Sequence, residues 1–92
     1  MKDVLQELLI TKNDYLIHEL YQKDLSNIAN TLKDFTYKEQ ATLIELFHTE
    51  QAVKIINHYS LEKQHLIFMH LSIDKSKTLI NRQLVNNITS YF

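Results

Sequence analysis

Apolar residues in this chain recur every twelve positions. Phe35, Phe47, Tyr59 and Leu71 form one ladder at that spacing, and Leu32, Ile44, Ile56, Phe68 and Ile80 form a second. Leu43, Ile55, Ile67 and Leu79 make a third, and Ala29, Ala41 and Val53 a shorter fourth. Within a block the apolar positions keep helical rather than strand spacing, as in Ala41, Leu43, Ile44 and Phe47. Thr36, Ser60 and Ser72 each follow a member of the first ladder, while His48 and then Thr49 follow Phe47. A block therefore reads as about eleven helical residues, roughly 16 Å of helix, and one junction residue. That junction residue is placed to act as a helix N-cap, its side-chain oxygen accepting from the N–H groups of the next first turn. Thr36 and Glu39 have capping-box spacing. Glu50, Glu62 and Asp74 fall in the following first turns, where the helix dipole favours negative charge.

The pattern predicts helices near residues 3–10, 14–23, 25–35, 37–47, 49–59, 61–71 and 73–90. Helices this short are marginal alone and persist only by packing on neighbours. The expected fold is all-α: a right-handed superhelix of six to seven short antiparallel helices. It forms one domain over residues 1–92, with the repeat core at about 25–82. The register is weak before Leu25. After Leu71 it slips, Gln83 standing where an apolar residue is due and Leu84 following one position later. Lys75, Ser76 and Lys77 open that last block, as suits a repeat capping a stack. Tyr91 and Phe92 are expected either to dock on the stack or to lead into a longer natural chain.

Composition sharpens this picture. The 92 residues include no Gly, Pro, Cys or Trp. Primed hairpin turns need residues at positive φ, so their absence argues against β structure. Disulfides, thiolate zinc sites and cysteine nucleophiles are excluded, as are glycine-rich phosphate loops. Ten Lys and Arg against 11 Asp and Glu give a net charge of −1, and Arg82 is the sole arginine. No basic stripe marks a nucleic-acid surface. The longest apolar run, Leu66 to Met69, falls far short of a bilayer span. Asp3, Gln6 and Glu7 interrupt the first apolar stretch, which is no secretory signal. The expected location is the cytoplasm.

Particular stretches carry a resemblance. Leu8-Leu9 followed by Lys12-Asn13-Asp14 and Leu16, then Asn27-Ile28-Ala29 through Phe35, resemble the opening of the N-terminal domain of MgtE-type magnesium transporters. Glu39-Gln40-Ala41 to Phe47 and Glu50-Gln51-Ala52 to Tyr59 are similar to that family's repeated helices, and Ser60-Leu61-Glu62-Lys63-Gln64 to the junction that follows. The resemblance covers about residues 5–80, and the helical repeats of the flagellar motor switch protein FliG are a related pattern. It implies a cytosolic, magnesium-sensing regulatory domain whose partner is a CBS domain, with Mg2+ held at low affinity by carboxylates and peripheral to the membrane within a transporter. Asp24-Leu25-Ser26-Asn27 departs from the family's His-Pro-Ala-Asp, and the near-neutral charge departs from its acidic character. With no CBS domain and no membrane segment in these 92 residues, the chain is expected to be either a piece of such a transporter or a free-standing relative. The alternative is a free-standing interaction module, FliG-like or immunity-protein-like, with an unknown cytosolic partner or a second copy of itself.

Candidate chemistry is sparse. His18, His48, His58, His65 and His70 invite a metal reading, but no His-Glu-x-x-His motif is present. His65 and His70 stand ~140° apart on a helix. His58 and His70 are repeat equivalents that could meet in space. Glu39, Glu50, Glu62 and Asp74 are the carboxylates available to Mg2+, and dipole complementation explains them more simply. Ser26, Ser60, Ser72, Ser76 and Ser90 form no recognisable triad motif. No catalytic residue is assigned, no cofactor is required, and the metal ligands stay unassigned. Phe35, Phe47, Tyr59 and Phe68 read as core, whereas Tyr15, Tyr21 and Tyr37 lie off the ladders and are candidates for a partner surface.

Overall fold

Seven helices account for the regular structure of the computed structural model, which describes residues 1–90 and, at the level of side chains, residues 1–83. They are α1 (Lys2–Thr11), α2 (Asp14–Tyr21), α3 (Leu25–Leu32), α4 (Tyr37–Leu46), α5 (Thr49–Ile56), α6 (Leu61–Phe68) and α7 (Ile73–Ser90). No strand occurs among the described residues. The all-α expectation is met, with the helices at the anticipated places. The expectations for Tyr91, Phe92 and the Leu84 side chain lie outside what is described.

Local sequence explains the starts. Asn13, Asp24, Thr36, His48 and Ser60 all precede their helices in extended backbone, at φ −62 to −76° and ψ 120 to 159°. The Asn13 and Asp24 carboxamide and carboxylate oxygens accept the Tyr15 and Ser26 N–H groups at 2.9 and 3.0 Å. Thr36 and Glu39 close a full capping box, at 3.2 Å from the Glu39 N–H to Thr36 Oγ1 and 3.0 Å back. Ser60 and Ser72 accept the Lys63 and Lys75 N–H groups. His48 departs from the scheme, because its side chain makes no cap hydrogen bond.

The ends differ from expectation in one systematic way. α3, α5 and α6 stop three residues before the first ladder rather than at it. The Phe35, Tyr59 and Leu71 N–H groups then reach back three residues, to the Leu32, Ile56 and Phe68 carbonyls. This is the 3₁₀-type tightening usual at helix ends. The ladder of Phe35, Phe47, Tyr59 and Leu71 thus lies in the junctions, where every member is buried. Among the described residues Lys12 alone adopts left-handed backbone (φ 53°); it ends α1 and donates its N–H to the Leu8 carbonyl at 2.7 Å.

Packing runs between alternate helices. α3 packs on α5 and α5 on α7, while α4 packs on α6 and more lightly on α5, giving an α3–α5–α7 layer beside an α4–α6 layer. α1 covers the start of the stack, touching α2, α3 and α4. The third ladder is wholly buried throughout, at Leu43, Ile55, Ile67 and Leu79. The second ladder is buried at Leu32, Ile44 and Ile56, half-buried at Phe68, and 44% exposed at Ile80. Each eight-residue helix is too short to stand alone, so packing on its neighbours holds it helical.

Candidate functional site

The junctions between helices gather most of the side-chain chemistry, and remote residues clasp them. At the start of α5, the His48 N–H donates to Tyr21 Oη at 3.1 Å. The Lys75 ammonium, from α7, donates to the Phe47 carbonyl at 2.8 Å. Burial pulls that ammonium below the usual lysine range, against an opposing influence from the Glu45 carboxylate. Glu45 in turn accepts the Ser72 N–H at the start of α7. These contacts join residues 27 or 28 positions apart in the chain.

A buried polar relay crosses the two layers. Tyr59 Oη donates to Gln40 Oε1 at 2.8 Å, and Gln40 Nε2 donates to the Phe35 carbonyl at 2.8 Å. Gln40 is only 3% exposed, and both ends of its amide are satisfied. Its repeat equivalent Gln64 makes the matching bond to the Tyr59 carbonyl at 3.0 Å. Burial, with a smaller contribution from Tyr37, pushes the Tyr59 phenol well above the usual tyrosine range. Such a network fixes the pairing of layers rather than offering reactive groups.

The five histidines are all exposed. His58 and His70 find different neighbours. The His58 ring lies with Nε2 3.2 Å from Ser26 Oγ and Nδ1 2.7 Å from the Lys54 carbonyl. His70 lines a shallow hollow with Lys12, Thr42, Glu45 and Leu46. α5 packs chiefly on α3 and α7, and α6 on α4, so these equivalents on successive helices do not meet. His18 meets Tyr21 edge-on at 6.0 Å between ring centroids, and Tyr21 meets His48 at 5.2 Å. Asp14 and Ile17 complete the hollow between His18 and His48.

The Ser26–His58 pair is one that sequence spacing could not reveal, as 32 positions separate the two. The Lys54 carbonyl can only accept, so Nδ1 carries a proton when the ring is neutral and Nε2 accepts from the serine hydroxyl. A nucleophilic serine needs that arrangement plus donors aimed at a developing oxyanion. The Ser26 N–H is itself given to Asp24. The pair serves to tie the start of α3 to the end of α5.

The four first-turn carboxylates are dispersed. Glu39 is held in its capping box and Glu50 pairs with Arg82, both side chains of that ion pair being about half exposed (51% and 46%). Glu62 and Asp74 are exposed in the first turns of α6 and α7. No group of three or more His, Asp or Glu side chains is arranged to hold a metal ion among the described residues. Nor, among them, is any helix long and apolar enough to cross a membrane.

The tyrosines proposed for a partner surface divide. Tyr15 is 76% exposed, whereas Tyr21 is absorbed in the α5 junction and Tyr37 packs against the core. Large exposed apolar side chains gather instead on the last two helices, at Leu61, Met69 and Ile73. Neither a protein-family model, nor a curated protein, nor a solved structure matches the chain. What it does must be read from its own residues.

Proposed function

We propose that this chain is a cytosolic regulatory domain resembling the N-terminal domain of an MgtE-type magnesium transporter. In this reading the two layers wind into a right-handed superhelix, which acts by packing against partner domains, a CBS domain first among them. The supporting observation is the stacking of alternate helices in step with the twelve-residue register. Equivalent junctions recur at Phe35, Phe47, Tyr59 and Leu71, and the molecule is elongated, 40 by 26 by 22 Å. Solenoids of this kind present extended surfaces to other proteins. Mg2+ would bind weakly, through Glu62 and Asp74, whose exposed carboxylates need further oxygens from the partner.

A second reading has its own support. Glu39 and Glu50, two of the four first-turn carboxylates, are engaged within the chain. This favours a helical-repeat interaction module that binds protein without sensing an ion. One experiment separates the two. The full chain is 15N-labelled and titrated with a CBS-domain pair from an MgtE-type transporter, with and without millimolar Mg2+, at constant ionic strength. Magnesium-dependent shifts at Glu62 and Asp74 support the regulatory domain. Association that ignores magnesium supports the plain module, and no association in either condition overturns the CBS partner.

A further inference from the structure

The starts of α5 and α7 are built to one plan, in which the residue 27 positions before the N-cap supplies an oxygen to the N-cap N–H. Tyr21 Oη accepts the His48 N–H at the start of α5, and the Glu45 carboxylate accepts the Ser72 N–H at the start of α7. At the start of α6 the N-cap is Ser60, and the equivalent earlier residue is Lys33. A lysine ammonium carries three donors and has no lone pair to offer. Among the described residues no group accepts the Ser60 N–H.

The lysine that clasps the junction differs as well. Lys75, in the first turn of α7, gives its ammonium to the Phe47 carbonyl, with the Glu45 carboxylate beside it. Its equivalent in α6 is Lys63, and the equivalent carbonyl is that of Phe35. That carbonyl accepts instead from Gln40 Nε2 at 2.8 Å, a bond with no counterpart at Phe47, where Ala52 stands in the place of Gln40. Lys63 is exposed and, like Lys33, forms no ion pair among the described residues. Lys33 reaches only Asn30 Oδ1, at 3.5 Å. Both lysines line one hollow of about 190 Å³, together with Tyr37, Gln40 and Tyr59, and no carboxylate lines it. One junction therefore sets a lysine against its glutamate, and the other sets two lysines around a hollow, a like-charge arrangement that favours an anion between them.

We infer that the junction at the start of α6 is a binding site for a phosphate group, which there takes the part that the Glu45 carboxylate plays at the start of α7. Its oxygens accept from the Ser60 N–H and from the ammoniums of Lys33 and Lys63. Two cations and three converging donors suit phosphate better than a carboxylate, which brings a single charge and two oxygens. The site rests on the twelve-residue equivalence of the junctions and on neither magnesium nor a CBS domain, so loss of the magnesium response would leave it standing.

The test is a titration of the full 15N-labelled chain with sodium phosphate at pH 7.5 and constant ionic strength, followed by amide shifts. A saturable downfield shift of the Ser60 amide is expected, while the Ser72 amide, already held by Glu45, moves little. Lys63→Gln should weaken binding about tenfold through loss of one charge-assisted hydrogen bond. Lys38→Gln, at an exposed lysine of α4 outside the hollow, should change it less than about twofold. Lys33→Glu writes the α7 arrangement into α6. Its Ser60 amide should stand downfield without phosphate, and its phosphate response should vanish. All three lysines are exposed, so thermal melts of the variants should match wild type and separate a lost site from a lost fold. Phenyl phosphate, titrated in parallel, distinguishes the sources: tighter binding than inorganic phosphate gives the site to a phosphate ester, and equal or weaker binding gives it to the ion itself. A Ser60 shift that fails to saturate, or that Lys63→Gln leaves unchanged, would overturn the site. Acetate that binds as tightly as phosphate would give it to a carboxylate and overturn the phosphate assignment.

Discussion

Ile56 and Ile80 are the same residue, on the same ladder, two blocks apart. One is wholly buried and the other is 44% exposed. Among the described residues α5 packs between α3 and α7, whereas α7 packs chiefly on α5. Burial in a stack is therefore a property of having a next neighbour and not of the residue. A position between two packed helices contributes stability, whereas its equivalent beside one helix leaves apolar surface in contact with water.

The contrast is sharpest under a charge. Ile56→Asp should destabilise by about 4 kcal/mol or more, enough to unfold a domain of this size, because it buries an unpaired carboxylate. Ile80→Asp should cost under about 1 kcal/mol, since water reaches the site. Urea melts of both variants, followed by circular dichroism, check the pair. Equal losses would contradict the assignment of inside and end.

A middle-sized effect belongs to the relay between layers. Tyr59→Phe leaves Gln40 Oε1 without its donor and should cost about 1–3 kcal/mol at neutral pH. It should also change the alkaline behaviour. The phenol ionises less readily in the folded state than at the ordinary value of ~10, so its contribution is intact below that pH. Above it, the unfolded chain gains by losing the proton first, and stability falls. Lys75 works the other way: in the window just below the usual lysine value, the unfolded state binds more protons and stability rises with pH. Melting temperatures from pH 8 to 11 should decline more steeply for wild type than for Tyr59→Phe. Parallel curves would remove Tyr59 as the cause.

The smallest difference separates two junctions. Thr36→Ala removes the hydroxyl that accepts the Glu39 N–H, leaving the backbone N–H of residue 36 to donate to Glu39, and should cost about 1 kcal/mol. His48→Ala removes no cap bond, as the clasp there uses the backbone N–H, and should cost under about 0.5 kcal/mol. Paired thermal melts decide it, and a larger loss at His48 would mean that its contact with Tyr21 outweighs a missing cap.

How much of this was written in the chain depends on distance along it. The helices, the capping box and the first-turn acids were legible because each is set by residues within about four positions of one another, and the third ladder because its twelve-residue spacing never breaks. The place of Phe35, Tyr59 and Leu71 in junctions was not, since periodicity alone does not say where a helix tightens and stops. Tyr21 reads as a surface residue until His48 is brought to it from 27 positions away, and Ser26 and His58 meet across 32. A twelve-residue period states which positions are equivalent, but not which edge points onward. That direction came from Glu50, Asn57 and Glu45, whose partners lie on or at the start of α7.

The extended N-caps have a consequence for how such a chain can change. Thr36, His48 and Ser60 all hold the backbone shape that proline asks of the residue before it. Tyr37, Thr49 and Leu61, which follow them, stand at the first helical position, where the N–H has no intrahelical partner to lose. A chain with no proline at all thus keeps seats ready for one at Thr49 and Leu61, each worth about 0.4–1 kcal/mol through a stiffer unfolded state, while Tyr37 is held by its packing against the core. Lineages of this repeat can therefore gain stability by point substitution at the joints while the helices and their two layers stay as they are.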